Sequence, residues 1–461
     1  MNFLDIELNI KNTPVLDETF IPLAAFNSAF LKTAKNPIAI AVERNSGLVA
    51  VYDTFIHKTD EMYETDCFYV ERLVKLLLWA KGGFKIIICG DEKIANHIKE
   101  TYSKDGKRAF DNKFMARVYE KEFEVISLPY EEKPKENELS KPLGRHLDGC
   151  RIGFDAGGSD RKVSAVVNGE AIYSEEVVWF PKISENPDYH FNGIVEAFKS
   201  AAEKMPRVDA IGISSAGIYI DNRTMAASLF LKVPDELFNE KVKDIYIRAA
   251  KEIGEIPVEV ANDGDVTALA GAMELNDNKV LGIAMGTSEA SGYVDKDGNI
   301  TGWLNELAFV PVDGQPNAMV DEWSGDIGCG VKYFSQDAVI KLASSSGIAL
   351  SENLSPAEKL KEVQKLLDKN LPCAIKIYET IGCYLGHTLS LYACVYDIKH
   401  ILLLGRVMSG KGGNIIIKVA NQVLESEYPE LFKKFELHLP DEKSRRVGQS
   451  VAAASLPTID K

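Results

Sequence analysis

Three glycine-bearing segments and one acidic pair hold the residue types that handle phosphate. Asp155-Ala156-Gly157-Gly158-Ser159-Asp160 closes an apolar run. Glycine carries no Cβ, so backbone amides there can come close to an anionic ligand. The adjacent carboxylate of Asp155 is of a kind that holds Mg2+, usually through water. The same segment would also serve as a plain Gly-Gly hairpin turn. Gly286-Thr287-Ser288 follows the apolar run 280–285, and its small hydroxyl residues and free amides suit a second phosphate contact. Gly405-Arg406-Val407-Met408-Ser409-Gly410-Lys411-Gly412-Gly413 precedes a helical pattern, and a glycine-rich loop at a helix start can hold a nucleotide. Between these lies Ala261-Asn262-Asp263-Gly264-Asp265, which could carry polar chemistry at the end of a strand or merely cap a helix. Each segment alone has an ordinary structural reading. The four together, in this order and spacing, would rarely arise by chance.

The elements that must position them alternate. Arg151–Phe154 reads as a strand ending at Asp155, and 163–167 and 171–179 read as strands around an Asn168-Gly169 turn. Phe191, Ile194, Val195, Phe198 and Ala202 share one face of a helix over 191–204. A buried strand over 210–214, a helix over 241–253, a strand over 258–261 and a helix over 266–273 follow. A second series then opens with a strand over 280–285 and a pair of strands around Asp297-Gly298. Ser355-Pro356-Ala357-Glu358 is a helix start with a capping box and proline at the first position. A long helix over 373–393, a buried strand over 400–404 and a helix over 414–425 complete it. A strand–turn–strand opening followed by alternating helices and strands thus occurs twice, which predicts two similar α/β lobes with a cleft between them.

The first 148 residues read differently. A hairpin over 38–55 around Asn45-Ser46-Gly47, a helix over 69–80, a strand over 84–89, a helix over 94–102 and a strand over 123–128 predict a small α/β domain of their own. Pro129–Pro142, with three prolines and many charges, reads as a linker. The expected division is therefore residues 1–148 as an accessory domain with linker, 149–275 plus 447–461 as the first lobe, and 276–446 as the second.

The 461 residues carry a net charge of −15, and 46% of them are apolar. Excess acid argues against a grip on a phosphate backbone as the main function. No run is long enough to span a membrane, and the start Met1-Asn2-Phe3-Leu4-Asp5 lacks the basic and apolar regions of a secretory leader. Seven cysteines, odd in number and never at CxxC spacing, read as buried free thiols of a cytoplasmic protein. The seven histidines show no HxxxH or HExxH pair, so spacing alone offers no metal site.

From Arg151 onward the chain resembles the ROK family of sugar kinases, within the superfamily of hexokinase, acetate kinase, Hsp70 and actin. Residues 154–162 resemble the first phosphate motif, with Ser159 in place of threonine. Residues 260–269 resemble the motif Asn-Asp-x-Asn-x-x-Ala-Leu, with Gly264-Asp265 in place of Ala-Asn. Residues 281–292 resemble the second phosphate motif, and Gly405 with its loop the adenosine motif. The resemblance implies two ribonuclease-H-like (actin-like ATPase) lobes, ATP with Mg2+, and transfer of the γ-phosphoryl group to a hydroxyl of a sugar or sugar-like acceptor. It implies Asp263 as general base, Asn262 and Glu306 as acceptor contacts, and Asp155 as the Mg2+ residue. Gly157, Gly158, Ser159, Gly286, Thr287, Ser288, Gly405 and Gly412 are then nucleotide contacts. A homodimer is implied as well. The chain departs from the family's Glu-x-Gly-His, since Phe309 stands at the histidine. It also departs from Gly-Cys-Leu-Glu, since Gly328-Cys329-Gly330-Val331 puts valine at the sugar-binding glutamate. A more apolar acceptor pocket and no structural zinc follow, because Cys329 is the one cysteine kept. The family also contains repressors with an N-terminal DNA-binding domain. Residues 1–150 hold 21 Lys/Arg against 24 Asp/Glu and show strand patterns, so no nucleic-acid partner is expected.

Overall fold

The computed structural model describes residues 1–138, 142–440 and 442–459, the side chains of 442–447 excepted. The chain folds as two compact units. One comprises Ser140–Gly282, Gly292–Gly302 and Pro440–Lys461; the larger comprises Met1–Leu139, Ile283–Ser291 and Trp303–Leu439.

The smaller unit is built on a five-stranded sheet in the order Val258–Asn262, Ala210–Ser215, Cys150–Ala156, Asp160–Val167, Glu170–Val178. The first three strands run parallel, and the last two pairings are antiparallel. This strand–hairpin–crossover arrangement is the ribonuclease-H-like lobe that the resemblance implies. The two central strands, Cys150–Ala156 and Ala210–Ser215, are almost wholly buried, because helices cover both faces. Helix Pro187–Ala202 packs Ile194 and Phe198 on one face, where Phe198 meets Phe154 edge-on at 5.4 Å. Helix Glu442–Ala454 lies against the other so closely that a Cβ on Gly212 would strike the carbonyl of Ala453.

The larger unit holds one four-stranded sheet whole and, apart from residues 280–282 and 292–294, a second. The N-terminal one has the order Val49–Ile56, Asn36–Glu43, Lys85–Cys89, Glu124–Leu128, with the first two pairs antiparallel and the last parallel. The other has the order Glu289–Val294, Val280–Met285, His400–Leu404, Glu436–His438. Of the strand expected after Asp297-Gly298, only an isolated bridge from Ile300 to Val294 forms. Helix Pro356–Asp368 begins as its sequence dictates: the Glu358 amide donates to the Ser355 hydroxyl, and the Ser355 amide to the Glu358 carboxylate.

The first 139 residues do not stand by themselves, in contrast to the expected division. Trp79 of helix Tyr63–Lys81 stacks on Phe309 with ring centres 4.2 Å apart, and the Ile21 amide donates to Asp313. Beside them lies a buried ion cluster. Asp326 accepts from Arg72 at 3.0 Å, Lys75 at 3.1 Å and Arg108 at 2.5 Å, while Glu71 and Asp111 supply two further carboxylates. Three cations meet three anions, all under 10% exposed, so no member can be removed without stranding a buried charge. The linker reading also fails up to residue 138. Val49 and Asn137 exchange backbone hydrogen bonds at 2.9 Å, and Glu138 pairs with Arg44. Residues 139–141 of that segment lie outside the described residues.

Candidate active site

In the smaller unit the register of the sheet brings the acidic residues together. Strand Ala210–Ser215 runs between the two strands that carry them, with Ser214 opposite Asp155 and Ser215 opposite Asn262. Parallel neighbours end on the same edge, so Asp155 and the Asn262-Asp263 pair emerge at one edge of the sheet with a single strand between them. The Ser214 hydroxyl donates to Asp155 Oδ1 at 2.9 Å. Gln449 Nε2 reaches Ser214 Oγ at 3.1 Å, Asp155 Oδ1 at 3.4 Å and the Asp263 carbonyl at 3.4 Å. Asp155 keeps some solvent contact, yet burial pushes its carboxyl up to about 6; the Ser214 hydrogen bond opposes the rise and the charge of Asp263 adds to it.

Asp263 is the first residue of helix Asp263–Leu275, and Asn262 is its N-cap. Asn262 Oδ1 accepts from the Gly264 amide at 2.7 Å, while its Nδ2 donates to the Gly217 carbonyl at 2.7 Å. The capping reading of this segment is therefore correct for Asn262. Burial raises the Asp263 carboxyl above its ordinary value; the Gly264 amide, at 3.0 Å, and the Lys182 cation hold it down. Asp265 is buried and accepts from the Tyr293 amide at 3.0 Å, so it ties down neighbouring backbone.

The loop Gly157-Gly158-Ser159 lies beside Asp155 and is fixed by Trp179, whose indole donates to the Gly157 carbonyl and whose amide donates to the Ser159 carbonyl. Gly158 and Ser159 are exposed. A Cβ on Gly158 would sit 3.0 Å from Lys182 Nζ. Lys182 thus brings a cation to the glycine loop and to Asp263. Sequence reasoning missed it, because Pro181-Lys182-Ile183 matches no motif; its place just past the last strand of the opening hairpin was the only signal.

In the larger unit Gly286-Thr287-Ser288 forms the turn between Val280–Met285 and Glu289–Val294, closed by the Gly286 amide on the Ser288 carbonyl at 3.0 Å. Thr287 and Ser288 are exposed. Gly405 has φ +93°, and a Cβ there would collide with the backbone of Met285; only glycine allows its loop to lie against the Gly286 turn. Gly412 stands in the first turn of helix Lys411–Glu427, and a Cβ there would enter the Tyr378 ring. Glu306 begins a short turn over 307–309 and is partly exposed. Structure thus gathers Asp155, Gly157, Gly158, Ser159, Asn262 and Asp263 on one unit, and Gly286, Thr287, Ser288, Gly405, Gly412 and Glu306 on the other.

The family profile described as "ROK family" matches residues 151–435. The chain belongs to the ROK family. Its solved relatives share the actin-like ATPase fold. A ROK transcriptional regulator, described as a homologue of the Escherichia coli MLC protein, aligns at 17% identity over 67% of this chain and 79% of its own, with a TM-score of 0.53. A ROK hexokinase from Thermus thermophilus aligns at 18% identity over 66% and 97%, with a TM-score of 0.50. No curated protein matches. Phe309 is packed on Trp79 and lies 6.0 Å from the Phe110 ring. Cys329 is fully buried, and burial pushes its thiol well up. The neighbouring Asp326 is held by Arg72, Lys75 and Arg108.

Proposed function

We propose that the chain is an ATP-dependent phosphotransferase of ROK type that passes the γ-phosphoryl group to a hydroxyl of a sugar-like acceptor. The observation that carries this reading is the placement of Asp155 and Asp263 at one edge of the sheet, on the two strands that flank Ala210–Ser215, beside an exposed glycine loop and a cation. Both bonds received by Asp155 fall on Oδ1. A second carboxylate oxygen beside a phosphate loop fits Mg2+, which takes hard oxygen donors and keeps several waters. When bound, the ion neutralises charge on the transferring phosphoryl group.

The chain's own residues do the rest. Gly157, Gly158 and Ser159 offer amides and a hydroxyl to phosphate, and Gly286, Thr287, Ser288 and Gly405 are assigned the remaining nucleotide contacts. Asn262 is held by Gly217 and Gly264 and so keeps its amide in place beside the base. Asp263 accepts the acceptor's hydroxyl proton as transfer proceeds. A carboxyl raised by burial is a better base at neutral pH than a free one. The Lys182 cation opposes that rise. Glu306 is assigned to the acceptor, together with an apolar wall at Val331.

A second reading, a non-catalytic sugar or nucleotide sensor, is favoured by Phe309, because the residue at the histidine position is committed to Trp79 rather than to an acceptor. Asp263→Asn separates the two. Asparagine caps a helix about as well as aspartate but cannot take a proton, and general-base assistance is worth roughly 10²–10⁴-fold. Turnover should fall by about that factor while ATP affinity and melting temperature hold. Wild-type turnover in the variant would remove the assignment.

A further inference from the structure

We propose that His400, Glu436 and His438 form a binding site for a divalent transition cation of the zinc type. The site lies in the larger unit, on two parallel strands. The register pairs His400 with Glu436 and Leu402 with His438. Residues two apart on a strand share a face, so Glu436 and His438 both project toward the side on which His400 stands.

The side chains meet there. His400 Nδ1 lies 2.9 Å from His438 Nε2, 3.6 Å from Glu436 Oε2, and that oxygen is 3.9 Å from His438 Nε2. These three atoms form the one group of three His, Cys, Asp or Glu ligand atoms within 4.8 Å of one another among the described residues. Zinc holds nitrogen at about 2.0–2.1 Å and carboxylate oxygen at about 2.0–2.2 Å; at tetrahedral angles its ligands are then about 3.3–3.5 Å apart. The three separations bracket that range. Two imidazoles and one carboxylate are also the donor set that borderline first-row cations prefer over Mg2+ or Ca2+.

Without metal, the two rings share one N–H. On binding, each must present a lone pair, so the donor ring moves its proton to its far nitrogen through solvent, and no net proton is released. His400 is buried, His438 half-buried and Glu436 exposed. The ion would therefore be approached from the Glu436 side and keep a water in its fourth position, unlike a closed structural zinc. It would also tie the three-residue edge strand Glu436–His438 to its neighbour.

The test is Zn2+ binding to the full chain by calorimetry, with Co2+ as the spectroscopic probe. One saturable equivalent is expected. His438→Ala, on the more exposed ring, should weaken it at least ~10-fold without loss of fold, and Glu436→Gln should weaken it less. The cobalt complex should lack a thiolate charge-transfer band, which separates this site from the cysteines. No saturable binding, binding unchanged in His438→Ala, or a thiolate band would each overturn the proposal.

Discussion

Glu289 is a carboxyl buried where it can barely ionise, and this makes stability depend on pH in a direction unusual for an acid. It opens strand Glu289–Val294 at 3% exposure. Tyr392 donates to Oε1 at 3.5 Å, while Oε2 has no hydrogen-bond partner among the described residues and faces Gly330. Burial raises the group from 4.5 to about 8; the Tyr392 hydrogen bond opposes this and the charge of Glu306 adds to it. Below pH 4.5 both folded and unfolded chains hold the proton, and the group contributes no difference. Between 4.5 and 8 only the folded chain holds it, so stability falls as pH rises, by up to about 1.4 kcal/mol per unit. Above 8 the loss is complete. From pH 4.5 to 7 this amounts to roughly 3 kcal/mol. Glu289→Gln keeps the shape and removes the titration. Its amide leaves a buried donor to satisfy, which costs about 1–3 kcal/mol, but that offset does not change with pH. Urea melts of both chains from pH 5 to 8 should give a difference that grows in the variant's favour by roughly 1 kcal/mol per unit. A difference flat across that range would refute the reasoning, whatever its offset.

Two further outcomes follow from the loop and the cluster. Gly158→Val should weaken Mg-ATP binding roughly 10-fold or more by calorimetry, the worth of one lost charge-assisted contact; equal affinity would count against this phosphate loop. Asp326→Ala should cost about 3–5 kcal/mol in a denaturant melt, because it leaves three buried cations facing the two carboxylates of Glu71 and Asp111, and a melt within 1 kcal/mol of wild type would show that the excess charge finds water instead.

Much of this was legible because the signals were local. Ser355 and Glu358 specify their own helix start, and the apolar runs around Ile211 and Leu402 are strands buried on both faces. Asn262-Asp263 could be placed at a strand end from four residues of context. The N-terminal region was misjudged because its attachments are not local. Glu71, Arg72 and Lys75 lie on a helix whose apolar stripe is Val70, Leu73, Val74 and Leu77, so charges there read as a solvent face. Asp326, the partner of Arg72 and Lys75, is 254 residues away from Arg72. The linker reading failed for the same reason, since the charge of Glu138 is spent on Arg44. Helices Leu23–Phe30 and Ala109–Tyr119 went unread: the first has no side-chain cap, and the second lacks a clear apolar stripe. The His400–Glu436–His438 cluster was invisible because it depends on the register of two strands far apart in sequence.

Phosphoryl transfer itself is the direct question. Full-length protein incubated with Mg2+, γ-labelled ATP and a panel of sugars and sugar-like polyols should move label onto the acceptor, and Asp263→Asn should move it roughly 10²–10⁴-fold more slowly. Saturable binding of ATP or sugar with no labelled acceptor anywhere in the panel would contradict the kinase and leave a sensor.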